Sequence, residues 1–161
     1  MKIALFTPVL LICSLARADV KTVRREVARI DARKLALKTS ERTDLSTEGA
    51  QISVYCDTQK TPHKIVARIY GESGQLKETI YLQQNQLLFV FSVEERYQSP
   101  LGTTSPVKVA SRTETRLYFD KGRLTEKRMG KKQLSLTATQ KRTIEKQTRD
   151  SIRTYLSPAK E

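Results

Sequence analysis

Two neighbouring carboxylates are the residues of this chain best placed for acid–base chemistry. Glu94 and Glu95 end an apolar segment, and three further charged residues, Arg112, Glu114 and Arg116, lie on the next predicted strand. Because consecutive residues of a strand point to opposite faces, Glu94 and Glu95 cannot readily act on one substrate. We therefore predict cross-strand ion pairs here.

His63 and Cys56 add little further chemistry. His63 is the only histidine, and it follows a Thr-Pro dipeptide in a predicted turn with no nucleophile motif nearby. Cys56 alternates with Ile52 and Val54, which predicts a buried position on a strand. The sequence contains no phosphate loop, no dinucleotide fingerprint and no set of His or Cys ligands. We predict no catalytic residue, no cofactor and no metal.

The first 18 residues have the form of an export signal. Lys2 supplies a positive charge, residues 3–15 form an apolar run, and Ala16-Arg17-Ala18 is a small-residue cleavage site. The run is shorter than the roughly 20 apolar residues that span a bilayer. We predict a mature chain that starts at Asp19, is periplasmic or extracellular, and has no transmembrane span.

Cys13 gives an alternative processing site. The segment Leu10-Leu11-Ile12-Cys13 is similar to a lipoprotein signal, in which this cysteine would carry the lipid. A small residue is expected directly before that cysteine, and Ile12 is large. Cleavage after Ala18 is therefore favoured over lipidation.

The hydrophobic periodicity predicts a single α+β domain over residues 19–161. A stripe at helical spacing predicts a helix over 19–38; its members are Val20, Val23, Val27, Ile30 and Leu37. Alternation with period two predicts an antiparallel β-meander of about six strands over 50–129. Within it, the apolar run Leu87–Val93 is typical of a central strand covered on both faces. A second helix is predicted over 137–157, where Glu145 and Arg149 have the spacing of a helix pair.

A short sequence repeat occurs three times within the predicted meander. Residues 69–76, 80–87 and 117–124 share an aliphatic residue, a tyrosine, three residues, Gly or Asn, one residue and a leucine. The repeat positions are Tyr70, Gly74, Tyr81, Asn85, Tyr118 and Gly122. Gly and Asn tolerate the positive φ that tight hairpin turns require. Each copy therefore predicts a hairpin, with the tyrosine and the leucine packed beside its turn.

This pattern resembles the tyrosine-and-glycine hairpin repeats of the MORN type, particularly the bacterial variant found in exported and antitoxin-like proteins. It is also similar to a group of small bacterial secreted proteins of uncharacterised function. The resemblance covers about residues 46–129, and the second Gly-x-Gly element of MORN repeats is absent. It implies a β-meander and a non-enzymatic role. The antitoxin analogy adds an alternative, in which the chain caps a protein partner.

The charge of the chain is concentrated at its two helical ends. Removal of the signal leaves 28 basic and 17 acidic residues, a net charge of +11. Residues 21–42 carry +5 and residues 121–153 carry +8, whereas residues 43–120 carry −1. If both helices pack on one face of the sheet, their outer sides form a continuous basic surface. The candidate binding residues on that surface are Arg24, Arg25, Arg29, Lys131, Lys132 and Arg142.

This layout predicts a non-catalytic module that binds an anionic envelope polymer or lipid. Nucleic acid is disfavoured as a partner, because both helices lack the interleaved aromatic residues of single-strand binders. Three alternatives stay open: a surface that is charged only for solubility, an envelope hydrolase that uses carboxylates brought together by the fold, and a protein partner.

Overall fold

A computed structural model describes residues 19–102 and 106–158. Helix α1 (Val20–Asp31) precedes the strands and helix α2 (Ala138–Leu156) follows them. The strands are β1 (Ala36–Arg42), β2 (Ala50–Cys56), β3 (Pro62–Gly71), β4 (Gly74–Gln83), β5 (Gln86–Tyr97), β6 (Val109–Asp120), β7 (Arg123–Met129) and β8 (Lys132–Leu134). The predicted export signal, with Cys13, lies outside the described residues.

The eight strands form one antiparallel sheet in sequence order, from β1 at one edge to β8 at the other. This confirms the α+β prediction of an antiparallel meander with a helix at each end of the chain. The sheet is wider than the six strands predicted. The two edge strands, β1 and β8, lie outside the predicted meander because they carry few apolar residues: β1 is exposed at every position before Arg42.

The first helix is shorter than predicted. It ends at Asp31 with Ala32 as its C-cap, whereas the apolar stripe predicted a helix to residue 38. Leu37, which continued that stripe, lies on β1 and is 56% exposed. Residues 36–42 instead pair with β2 in an unbroken ladder, from Ala36 opposite Cys56 to Arg42 opposite Ala50. This ladder gives hydrogen-bond partners to the backbone N–H and C=O groups along the outer side of β2. A solvent-exposed continuation of α1 would not provide those partners.

The two helices cover opposite faces of the sheet. Alternate residues of the central strands form one cluster with Tyr155 and Ile152 of α2; its strand members include Ile52, Ile65, Ile80, Val90, Leu117 and Phe119. A second cluster lies on the other face with Val23 and Ile30 of α1; its strand members are Tyr81, Leu88, Phe89 and Tyr118, and the register shift beside Tyr81 lets the consecutive residues Leu88 and Phe89 both join it. β5 supplies both clusters over Leu87–Val90, so the prediction of a strand covered on both faces is confirmed for this part, whereas Phe91 and Val93 line an open groove on the α1 side.

The second and third repeats close their hairpins as predicted. The two-residue turn Gln84-Asn85 has φ values of 50° and 61°, and the turn Lys121-Gly122 has φ values of 48° and 75°. Positive φ at both central positions is the geometry of a type I′ turn, whose twist matches that of the flanking strands. Asn85 and Gly122 therefore occupy the positions for which their conformational freedom is needed.

Gly74 of the first repeat has a different role. Gly71 pairs with Gly74 across the β3–β4 turn, and Gly74 does not have positive φ. Its Cα instead faces the neighbouring strand so closely that a Cβ would lie 2.2 Å from the carbonyl oxygen of Glu95. The glycine is required for close approach of β4 to β5, and the prediction of a positive-φ turn residue is wrong at this position.

The tyrosine and leucine of one repeat do not pack together, contrary to the prediction. Tyr81 and Tyr118 lie in the cluster under α1, whereas Leu87 and Leu124 lie in the cluster under α2. In each of these hairpins the leucine lies opposite the residue that follows the tyrosine. The leucine and the tyrosine therefore point to opposite faces of the sheet. Each of these two repeats thus supplies one residue to each helix-covered layer.

Substitution of Gly74 by alanine should destabilise the protein by about 3 kcal/mol, because the new methyl group overpacks against backbone atoms of β5. Gly122→Ala is the matched control. Its Cβ would meet nothing within 4 Å, so only the backbone strain of positive φ remains, which is worth about 1 kcal/mol. Urea denaturation followed by circular dichroism measures both losses. An equal or smaller loss for Gly74→Ala would contradict the close approach.

Candidate functional site

The basic residues predicted to form one surface lie on separate parts of the molecule. Arg24, Arg25 and Arg29 are exposed on α1, and Arg142 is exposed on α2, which covers the opposite face of the sheet. Lys131 lies in the turn between β7 and β8, and Lys132 begins β8. The sheet separates the two helices, so their outer sides do not form the continuous basic surface that one-sided packing would give.

The face that carries α1 is only partly covered. α1 lies near the β4–β5 turn, where Asp31 accepts hydrogen bonds from the Tyr81 hydroxyl at 3.0 Å and from Lys64 Nζ at 2.7 Å. Beside it, toward the other end of the strands, the same face holds an open groove of about 350 Å³. We call this the α1-side groove. Its lining includes Arg68, Tyr70, Lys77, Phe91, Glu95 and Arg112.

Two like charges face each other in the α1-side groove. Arg68 on β3 lies directly opposite Lys77 on β4, and both side chains are exposed. Among the described residues, neither forms an ion pair with a carboxylate. Like charges at directly opposed positions on neighbouring strands are unfavourable for folding alone. An anion bound between these two residues would remove the repulsion.

The predicted cross-strand ion pair is confirmed for Arg112 and Glu95, whereas Glu114 and Arg116, beside the groove, pair along β6 instead. Arg112 lies opposite Glu95 on the neighbouring strand and donates to it at 3.1 Å. Glu114 accepts from Arg116 at 2.7 Å and lies 3.5 Å from Arg112. The guanidinium of Arg116 is the largest influence on Glu114, and it lowers the pKa of that carboxyl.

The neighbouring glutamates are separated, also as predicted. Glu94 and Glu95 point to opposite faces of β5, with Thr113 and Arg112 as their respective partners across the ladder. Glu94 pairs with Arg96 at 2.8 Å. Both residues line a pocket of about 390 Å³ beside the β3–β4 turn, but their side chains leave β5 in opposite directions.

His63 and Cys56 lie at the start of β3 and the end of β2. His63 Nε2 is 3.0 Å from Asp57 Oδ2, and the backbone N–H groups of Gln59 and Thr61 donate to Asp57 Oδ1. The hydrogen bond from His63 is the main cause of the lowered pKa of Asp57. These hydrogen bonds stabilise the β2–β3 turn.

The prediction that Cys56 is buried is wrong: its side chain is only partly covered, because Ala36 opposite it lies on the exposed edge strand.

A partly buried carboxyl under α2 escaped the sequence analysis. Glu78 on β4 faces the α2 layer, where it accepts hydrogen bonds from the Ser92 hydroxyl at 3.1 Å and the Tyr155 hydroxyl at 3.2 Å. Burial raises the pKa of Glu78 above its ordinary value of 4.5, and the two hydrogen bonds only partly oppose that effect. The available signal was Glu78 itself, the one charged residue among the inward positions between Leu76 and Leu82.

Two other polar contacts attach α2 to the sheet. The guanidinium of Arg42, which is 2% exposed, donates to both carboxylate oxygens of Asp44 and to the backbone carbonyls of Thr154 and Ser157. These carbonyls belong to the C-terminal end of α2, where a positive charge is favourable. At the other half of the helix, the buried carboxylate of Glu145 accepts from the backbone N–H of Leu124 at 2.8 Å.

The chain matches no protein-family model, no curated protein and no solved structure. Within the described ranges, no group of three or more His, Cys, Asp or Glu side chains is arranged to hold a metal ion. Neither α1 nor α2 combines the length and the apolar character that a bilayer-spanning helix needs.

The raised pKa of Glu78 predicts a specific pH dependence of stability. A carboxyl that keeps its proton longer in the folded chain than in the unfolded chain stabilises the fold below its unfolded pKa. This contribution is lost as pH rises through the higher, folded pKa. The difference in free energy of unfolding between the wild type and Glu78→Gln should therefore decrease as pH rises above about 4.5.

Urea denaturation of both proteins at a series of pH values measures this difference. Glu72→Gln removes the same charge from an exposed position in the β3–β4 turn and serves as the control. A difference between wild type and Glu78→Gln that stays constant across the series would contradict the raised pKa of Glu78.

Proposed function

We propose that this protein is an exported binding module whose α1 side takes up an anionic component of the cell envelope. The observation that carries the proposal is the opposed pair Arg68 and Lys77, two exposed cations on neighbouring strands without an ion-pair partner among the described residues. Phosphate or carboxylate groups of a polymer or lipid head group supply the missing negative charge.

The α1 helix extends this basic region. Arg24, Arg25 and Arg29 are exposed on the helix that covers the same face as the groove. Among the described residues, the carboxylate that pairs with them is Glu26, which lies 2.7 Å from Arg29 and 4.0 Å from Arg25. An extended polyanion can therefore contact the groove and the helix at the same time, which favours a polymer or a surface over a single small ion.

Export rests on the sequence of the first 18 residues. Cleavage after Ala18 would leave Asp19 as the first residue, where it caps α1 by accepting a hydrogen bond from the Thr22 N–H at 2.7 Å. N-terminal sequencing of the chain recovered from the envelope fraction tests this step, and a chain that keeps Met1 would contradict it.

The hydrolase alternative gains no support from the groove. Its carboxylates, Glu95 and the adjacent Glu114, are both held by Arg112. The Arg116 and Arg112 guanidinium groups lower the pKa of Glu114, which makes its carboxylate a weaker base and leaves little of the protonated form at neutral pH. The geometry thus favours a structural, charge-balancing role for these residues. An antitoxin-like protein partner stays a possible outcome of the binding experiment.

Retention of the chain from Asp19 on immobilised lipopolysaccharide, cell-wall polymer, anionic vesicles and DNA, across a salt series, tests the proposal. We expect retention that is strongest on one envelope ligand and falls as salt rises, because the interaction is between charges. The variant Arg68→Gln/Lys77→Gln should elute at markedly lower salt.

The predicted basic residues provide a matched pair of further variants. Arg24→Gln/Arg25→Gln/Arg29→Gln removes three charges from the α1 side, and Lys131→Gln/Lys132→Gln/Arg142→Gln removes three charges elsewhere. The proposal predicts that only the first triple variant loses retention. Equal losses would assign the effect to net charge, and no retention of the wild type on any ligand would overturn the proposal in favour of a protein partner.

A further inference from the structure

A second cavity lies on the other face of the sheet, at the end where two repeat turns meet α2. Its volume is about 390 Å³. One wall is the β4–β5 turn with Asn85, another is the β6–β7 turn with Gly122, and the third is the C-terminal half of α2. We call it the turn-end pocket. It does not touch the α1-side groove, because the sheet lies between them.

The floor of the turn-end pocket is aliphatic. Leu82 and Leu87 are paired across the β4–β5 hairpin and belong to the buried cluster under α2. Ile152 and Leu156 contribute from the helix, and Leu156 is 44% exposed. Within the described ranges, no aromatic side chain lines the pocket. A floor of this kind is complementary to a flexible aliphatic chain, which gains contact area without the shape constraints of a ring.

The rim of the turn-end pocket is basic. Lys121, Arg123 and Arg149 line it, and no carboxylate of the residues that the structure describes does. Arg123 is partly neutralised by Glu145 at 3.4 Å. The helix pair predicted between Glu145 and Arg149 is not formed, because Glu145 is directed to Arg123 and the N–H of Leu124. Arg149 and Lys121 form no ion pair among the described residues, so their charges are available to a ligand.

From this geometry we infer that the turn-end pocket binds a small amphiphile with one aliphatic chain and an anionic carboxylate or phosphate head group. The chain lies on Leu82, Leu87 and Ile152. The head group lies between Lys121 and Arg149. The two type I′ turns fix the backbone of the rim, and the Arg42 and Glu145 contacts fix the helix that closes the pocket.

Methyl NMR of the full mature chain, titrated with four probes, tests this inference. Octanoate and octyl phosphate carry both a chain and a charge, octanol carries the chain alone, and acetate carries the charge alone. We expect saturable shifts of the Leu82, Leu87 and Ile152 methyl groups with the two charged amphiphiles. Octanol should bind more weakly, and acetate should leave these methyl groups unchanged. The stronger of the two charged probes identifies the head group.

The variant Lys121→Gln/Arg149→Gln should weaken binding of the charged amphiphiles about tenfold, because two partly exposed charge contacts are lost. Binding of octanol should be unchanged. Lys131→Gln/Lys132→Gln removes the same charge outside the pocket and should change neither. Equal affinity for octanol and octanoate, an unaltered double variant, or the absence of saturable shifts at the three methyl groups would each overturn the inference. None of these outcomes depends on the α1-side groove.

Discussion

The alternation of side chains along the central strands determines the rest of this structure. β4, β5 and β6 carry apolar residues on both faces near the β4–β5 turn: Tyr81, Leu88, Phe89 and Tyr118 on the α1 side, and mainly aliphatic residues with Phe119 on the α2 side. Each such side chain contributes about 1.5–3 kcal/mol when it is removed from water. One layer of helix cannot cover both sets. The sheet is therefore stable only with a helix on each face.

The two helices meet this requirement unequally. α2 has 19 residues and is attached to the sheet by polar contacts along its length: Glu145 in its first half, Tyr155 with Glu78, and Arg42 at its C-terminal end. α1 has 12 residues, and its contacts concentrate on one end of the strands. The uncovered remainder of its face becomes a groove, and the charged residues of β3, β4 and β6 line that groove instead of an apolar layer.

The sequence predicts the parts of the structure that depend on local pattern. The stripe Val20 to Ile30 identifies α1, and the two type I′ turns follow from Asn85 and Gly122. The prediction from local pattern fails at Leu37, because one apolar residue in helical register cannot reveal that Ala36–Arg42 pairs with β2 as an edge strand. Gly74 shows the same limit: its close contact with Glu95 arises between two strands and has no local signature.

The site was predictable in part. Pairing of Arg112 with Glu95 follows from strand order and parity, whereas the opposition of Arg68 and Lys77 depends on the register across the β3–β4 turn. The run Leu87–Val93 indicated a strand covered on both faces, but nothing local assigns one helix to each face. That assignment separates the basic residues of α1 from those of α2.

Nuclear Overhauser contacts between methyl and aromatic groups test the opposed placement of the helices most directly. The structure predicts contacts from the Val23 methyl groups to the rings of Tyr81 and Tyr118, and from Ile80 or Ile152 to the ring of Tyr155. Contacts from Val23 to Tyr155 or to Ile152 would place both helices on one face and contradict the account.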